Sequence, residues 1–182
     1  MRLFTSLVPS QDAVEHLATA LATVDGPQWI DRDKWHITLC FHGEGDDPVA
    51  RAARLRERAS TLRPIRLRLA SAGVFGEVLW IGVESDDALA EAAAAVRDHA
   101  PGHVERHGFT PHLTVARGAG YPGPSPARNA RHGHDKSLDV VPLLGYKGPW
   151  WTSSELVLFR SERTPEGYRY SAVDAVLLRG PS

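Results

Sequence analysis

The sequence predicts an α+β fold of two lobes, each a copy of one strand-and-helix unit, facing each other across a cleft. Two observations carry this. Strand-like and helix-like segments alternate along most of the chain, and one short motif occurs twice. His36-Ile37-Thr38-Leu39 and His112-Leu113-Thr114-Val115 share the pattern His, apolar, Thr, apolar, and lie 76 positions apart. What precedes each copy also matches: Ser10 lies 26 residues before His36 and Ser85 lies 27 before His112, each behind an apolar strand, RLFTSLV or VLWIGVE. Two copies of strand, helix, strand and HxT strand imply a duplicated unit and a pseudo-two-fold axis.

Each element has a local cause. MRLFTSLV reads as a strand, and Ser10 then caps a helix whose apolar positions Val14, Leu17, Ala18 and Leu21 repeat at helical spacing. Asp47-Pro48 opens a second helix, a cap followed by proline at the first position, with Val49, Ala52, Ala53 and Ala59 expected inward and Arg51, Arg54 and Arg58 outward. IRLRLA (65–70) alternates with period two, and EVLWIGVE (77–84) is an apolar strand ahead of Ser85, which is expected to cap DDALAEAAAAVRDHA. Pro101-Gly102 should stop that helix. ELVLFRSE (155–162) and YRYSAVDAVLL (168–178) read as two closing strands around a Pro-Glu-Gly turn. Between 118 and 153 the pattern dissolves into a Gly- and Pro-rich stretch expected to be a long loop. It carries Arg128, Arg131, Lys136 and Lys147 with Tyr121, Tyr146, Trp150 and Trp151, the mixture of charge and flat rings that binds single-stranded bases, although each ring is equally able to anchor the loop.

Composition narrows the function classes. At 182 residues, 42% hydrophobic and 24% charged, the chain reads as one ordinary globular domain of two lobes spanning 1–182. The single Cys40 cannot form an internal disulfide, and the start of the chain turns polar too soon for a signal peptide or membrane span, so a cytoplasmic, membrane-free protein is the expectation. Twenty-one basic against 22 acidic residues leave no surplus for gripping long duplex DNA, whereas a small or single-stranded anionic ligand remains open. The near-neutral charge and size fit a monomer.

On a strand, residues i and i+2 share a face, so each motif sets His and Thr on one side and its two apolar residues on the other. If the pseudo-axis brings both strands to the floor of one cleft, two imidazoles and two hydroxyls converge. That set can attack a phosphodiester without a metal: a neutral His takes a proton from water, a protonated His gives one to the leaving oxygen, and the Thr hydroxyls donate to non-bridging oxygens. Histidine suits both jobs because its ordinary pKa is near neutrality.

With both motifs at this spacing, the sequence resembles the 2H phosphoesterase superfamily, and within it the bacterial and archaeal RNA 2′,3′-cyclic phosphodiesterases, also called 2′-5′ RNA ligase-like proteins. The likeness covers nearly the whole chain: the MRLF strand, WHITLCFHGE, VLWIGVES, FTPHLTVAR with Arg117, and LVLFRSERTPEGYRY with Ser161. It implies a bilobal α+β fold in which two antiparallel sheets, flanked by helices, enclose the cleft. It also implies opening of a 2′,3′-cyclic phosphate at an RNA end to leave a 2′-phosphate, with a reversible 2′-5′ ligation associated. Carried across position by position, His36 is the proton donor to the leaving 3′ oxygen and His112 the acceptor that activates water. Thr38 and Thr114 hold the phosphate, Arg117 adds a charge-assisted contact to it, and Phe41, at the same offset from His36, stacks on the terminal base. The implied partners are RNA 3′ ends or nucleotides carrying a 2′,3′-cyclic phosphate, and no cofactor is implied. The chain departs from the family pattern at His42, where leucine is common, and at Cys40, where a long polar residue is common.

Other readings compete. His36, Cys40 and His42 suggest a metal site, but no fourth ligand, HExxH or CxxC accompanies them, so no metal is expected. His103 with His107 and His132 with His134 read as surface residues. Nothing like GxSxG surrounds Ser161, which reads as an orienting hydrogen-bond partner and not a nucleophile. Two HxT strands could instead form a module that holds an RNA end without turning it over. Ligation, hydrolysis of ADP-ribose 1″,2″-cyclic phosphate and cleavage of 2′-5′ oligonucleotides would use the same histidine pair.

Overall fold

A computed structural model of the chain describes residues 1–24, 28–76, 78–97, 108–117, 141–165 and 167–180. In chain order these form β1 (Arg2–Leu7), α1 (Gln11–Leu21), a 3-10 turn (Arg32–Lys34), β2 (Ile37–Glu44), α2 (Pro48–Ala59), β3 (Ile65–Phe75), β4 (Val78–Ser85), α3 (Asp87–Val96), β5 (His112–Arg117), α4 (Val141–Leu144), β6 (Trp151–Ser153), β7 (Glu155–Thr164) and β8 (Gly167–Leu177). The α+β class holds. The expectation of two sheets does not: the eight strands make one curled antiparallel sheet in the order β6-β3-β4-β5-β2-β1-β7-β8. The two halves are sewn together at the centre, where Ile37 of β2 pairs with Leu113 of β5. Both residues are fully buried, so the join is an apolar staple as well as a hydrogen-bonded one.

Outward from this seam, each half runs the same way. An HxT strand comes first (β2 or β5), then the strand preceding it through a helix (β1 or β4), then two further strands. Between α1 and β2 the described residues hold a 3-10 turn in place of the extra strand expected there. Helices α1, α2 and α3 bury Leu17, Leu21, Leu55, Ala59, Leu89 and Val96 against one face of the sheet, where Leu3, Leu7, Ile37, Leu67, Ile81 and Leu113 meet them. The histidine and threonine of each motif therefore lie on the opposite face.

Several local expectations shift. Ser10 caps α1 by accepting from the Ala13 N–H at 3.2 Å, and Asp47 caps α2 by accepting from Val49 at 2.9 Å, as their positions predict. The cap of α3 is Asp86, not Ser85: the Asp86 carboxylate accepts from Ala88, while Ser85 Oγ ends β4 by donating to the Arg66 carbonyl. In α2 the inward face is Arg51, Ala52, Leu55 and Ala59, and Val49 and Ala53 are exposed. Arg51 tolerates burial because the Asp46 carboxylate accepts from its guanidinium at 2.5 Å. The stretch expected to be unstructured contains α4, β6 and a bridge from Lys147 to Ala70 of β3. The remainder of that stretch from 118 to 140, with Tyr121, Arg128, Arg131, His132, His134 and Lys136, lies outside the described residues. So do Pro101-Gly102, His103 and His107.

Candidate active site

The seam decides the geometry. Continuing the antiparallel Ile37–Leu113 register one residue either way sets His36 across from Thr114 and Thr38 across from His112. Directly opposed residues hold their Cβ atoms about 4.5–5.5 Å apart, so two imidazoles and two hydroxyls occupy one diagonal square on the face opposite the helices. Burial follows the expected alternation. Ile37, Leu39, Leu113 and Val115 are buried, while His36, Thr38, His112 and Thr114 keep partial exposure. His36 itself stands one residue before the first residue of β2.

The two histidines are held alike. His36 Nδ1 donates to the Lys34 carbonyl at 2.7 Å, and His112 Nδ1 donates to the Thr110 carbonyl at 2.7 Å, in each case the residue two positions earlier. A carbonyl only accepts, so each ring carries its proton on Nδ1 when neutral and leaves Nε2 for a ligand. Rings pack beside both. Phe4 lies 4.9 Å from His36 and Tyr170 meets it edge-on at 5.2 Å, while Phe75 meets His112 edge-on at 5.3 Å and Trp80 lies 6.0 Å away. None of these four rings stands out from motif reasoning. Their signal is positional: Trp80 pairs directly with Thr114, and Phe4 with Phe41.

Burial holds the His36 pKa below its ordinary value, and the positive field of Arg117 and the proximity of His112 lower it further, against the carbonyl of Lys34, which raises it. Arg117 and His112 thus act on the same ring across the seam.

Two β-bulges place the residues that follow. Strict alternation would turn residues five positions after each histidine to the helix side, with Leu39 and Val115. In β2, Ser6 pairs with Thr38 and Thr5 with Cys40, leaving Leu39 as an extra residue; in β5, Trp80 pairs with Thr114 and Leu79 with Ala116, leaving Val115 extra. Each bulge reverses the alternation, so Phe41 and Arg117 return to the face of their histidines. Phe41 packs 5.9 Å from Phe4 and is 69% exposed, a flat ring offered outward. The same reversal sends Cys40 and His42 to the helix side, where His42 Nε2 lies 2.8 Å from the hydroxyl of the fully buried Thr5. The metal reading that grouped them with His36 on one face therefore fails on geometry. Ser161 pairs with Arg2 on one side and Tyr170 on the other, on the face that carries Phe4 and Phe159.

A model of the 2′-5′ RNA ligase superfamily matches residues 8–137, which include both HxT motifs and Arg117. The chain belongs to that superfamily. A relative from Archaeoglobus fulgidus named RNA 2′,3′-cyclic phosphodiesterase is 31% identical over 130 residues, covering 64% of this chain and 72% of its own. One of the same name from Geobacillus stearothermophilus is 35% identical over 101 residues, covering 49% of this chain and 32% of its own length, so this chain spans only part of it. Among solved structures, the protein TT0787 of Thermus thermophilus superimposes with a TM-score of 0.67 at 24% identity over the full length of both chains. LigT of Escherichia coli in its apo form does so with a TM-score of 0.70 at 21% identity, over 97% of this chain and 96% of its own. At these identities the solved structures establish the fold, a curled antiparallel sheet backed by few helices.

Proposed function

We propose that this protein is a metal-independent RNA 2′,3′-cyclic phosphodiesterase that opens a terminal 2′,3′-cyclic phosphate to a 2′-phosphate. The observation that carries the reading is the matched pair of histidines, each fixed through Nδ1 by the carbonyl two residues earlier and each opposed to the other motif's threonine. The names of the superfamily relatives support it. The phosphate sits between the four side chains, with the Thr38 and Thr114 hydroxyls and Arg117 donating to its non-bridging oxygens. His112 Nε2 takes a proton from water as the water oxygen bonds to phosphorus. The bond from phosphorus to the 3′ oxygen breaks, and His36 Nε2 delivers its proton to that oxygen. Both histidines are reset by exchanging protons with solvent.

His36 must be protonated to act, although the free protein holds its pKa low. The bound phosphodiester resolves this, because its negative charge offsets Arg117 and favours the imidazolium. Phe41 offers the terminal base a stacking surface beside the phosphate. The test is incubation of the four nucleoside 2′,3′-cyclic monophosphates in EDTA with separation of 2′- from 3′-phosphate products. The reading expects 2′-phosphates. Production of 3′-phosphates, or activity that EDTA abolishes and added metal restores, contradicts it.

A further inference from the structure

The sheet carries a second polar surface on the same face as the two histidines. His112 pairs with Gly82, Gly82 with Ala70, and Ala70 with Lys147, one row that crosses β5, β4, β3 and the segment before β6. Paired residues share a face, so Lys147 lies on the side of His112, about 14 Å away at three inter-strand spacings. The two residues between them are the smallest available. A Cβ on Gly82 would lie 2.7 Å from the Ala70 carbonyl oxygen, so only glycine fits there and the row runs as a low floor. Beyond it, Arg68 pairs with Glu84 and Arg66 with Thr152, again on this face. The guanidiniums of Arg66 and Arg68 lie over Trp150, 4.3 Å and 4.7 Å respectively from its ring centre, and Trp150 remains 40% exposed. Glu84 accepts from Arg68 at 2.7 Å and neutralises it in part, whereas Arg66 and Lys147 have no ion pair among the described residues. A low floor that starts at a phosphate-sized site and ends in fixed cations on an aromatic ring has the chemistry of a path for single-stranded nucleic acid.

We infer that this row is a binding track for the RNA chain upstream of the reacting end, with Arg66 and Lys147 on successive phosphates and Trp150 stacking a base. The inference rests on the proposed reaction for its orientation and makes an oligonucleotide, not a free nucleotide, the preferred substrate. A mononucleotide fills the histidine square without reaching Lys147.

The test uses the whole protein and its Arg66→Gln, Lys147→Gln double variant, with matched melting temperatures as the folding control. Turnover is compared on a nucleoside 2′,3′-cyclic monophosphate and on a short single-stranded RNA ending in a cyclic phosphate. Binding of the same RNA with a 2′-phosphate end is followed by fluorescence anisotropy against salt. The expected result is unchanged mononucleotide turnover, a severalfold loss of kcat/KM on the RNA through KM, and a salt slope of log affinity shallower by about 1.4, for two lost single-strand phosphate contacts. A double variant with parental RNA affinity and salt slope overturns the track. So does a parent protein that shows no preference for the oligonucleotide. If the parent turns over neither substrate while the double variant still loses RNA affinity and slope, the track stands and the reaction falls.

Discussion

His36 and His112 have identical hydrogen bonds and different surroundings. In the proposed reaction, removing either ring deletes an acid or a base, and His36→Ala and His112→Ala are each expected to lower kcat/KM by about 10²- to 10⁴-fold. Steady-state kinetics on proteins with parental circular dichroism checks this. The neighbours of His36 give a signed pH prediction. Arg117 and His112 both lower its pKa, so Arg117→Gln should raise it, and so should binding of inorganic phosphate to the parent; NMR titration of the ring reads both. Stability follows the same sign. Because the folded-state value lies below the ordinary 6.5, the unfolded chain takes up the proton first as pH falls. The stability this ring contributes is therefore present above that value and is lost below it. Urea midpoints of the parent should drop from about pH 7.5 to about pH 5.5, and His36→Gln should drop less.

At the scale of strands, the bulges at Leu39 and Val115 decide which residues reach the site. The HxT pattern was legible because period two needs only i and i+2, and it put His36, Thr38, His112 and Thr114 on one face, as the Ile37–Leu113 register also does. Phe41 and Arg117 share an offset of five from their histidines, which alternation alone assigns to the helix face; only the resemblance set them on the face of the histidines, where the bulges put them. A bulge is invisible in one sequence because the extra residues, Leu39 and Val115, are as apolar as their neighbours. Arg51 went the other way: an arginine reads as solvent-facing, and the Asp46 carboxylate that lets it be buried lies in the preceding turn. β6 escaped notice because it is three residues long and pairs with a strand over eighty positions earlier. The glycines of β3 and β4 carry a prediction at this scale. A Cβ at Gly73 would lie 2.2 Å from the Trp80 ring, so Gly73→Ala must push the indole away from its seat beside His112. A shifted tryptophan emission and a loss of about 1–3 kcal/mol in denaturant unfolding are expected.

For the whole molecule, the consequence is that one seam joins the two halves and brings the candidate site residues together. Helix and strand order within each half followed from local spacing, but the merging of both halves into a single sheet depends on the Ile37–Leu113 pairing, a contact between residues 76 positions apart. Local patterns carry no information on such a pairing. Truncating Ile37 to Ala should cost about 2–5 kcal/mol, as for other buried large-to-small changes, and lower activity beyond what partial unfolding explains, because both histidine–threonine pairs lose their register. Equilibrium unfolding combined with kinetics at a temperature where the variant is fully folded separates the two effects. The proposed reaction has two histidines on two strands sharing one acid–base cycle. It is tested most directly by the pH dependence of kcat/KM on a cyclic 2′,3′-phosphate for the parent and for His36→Ala and His112→Ala. The parent should give a bell, and the residual rate of each variant should lack one limb, a different one in each. A parent profile without limbs, or a variant that keeps the parental bell, would contradict it.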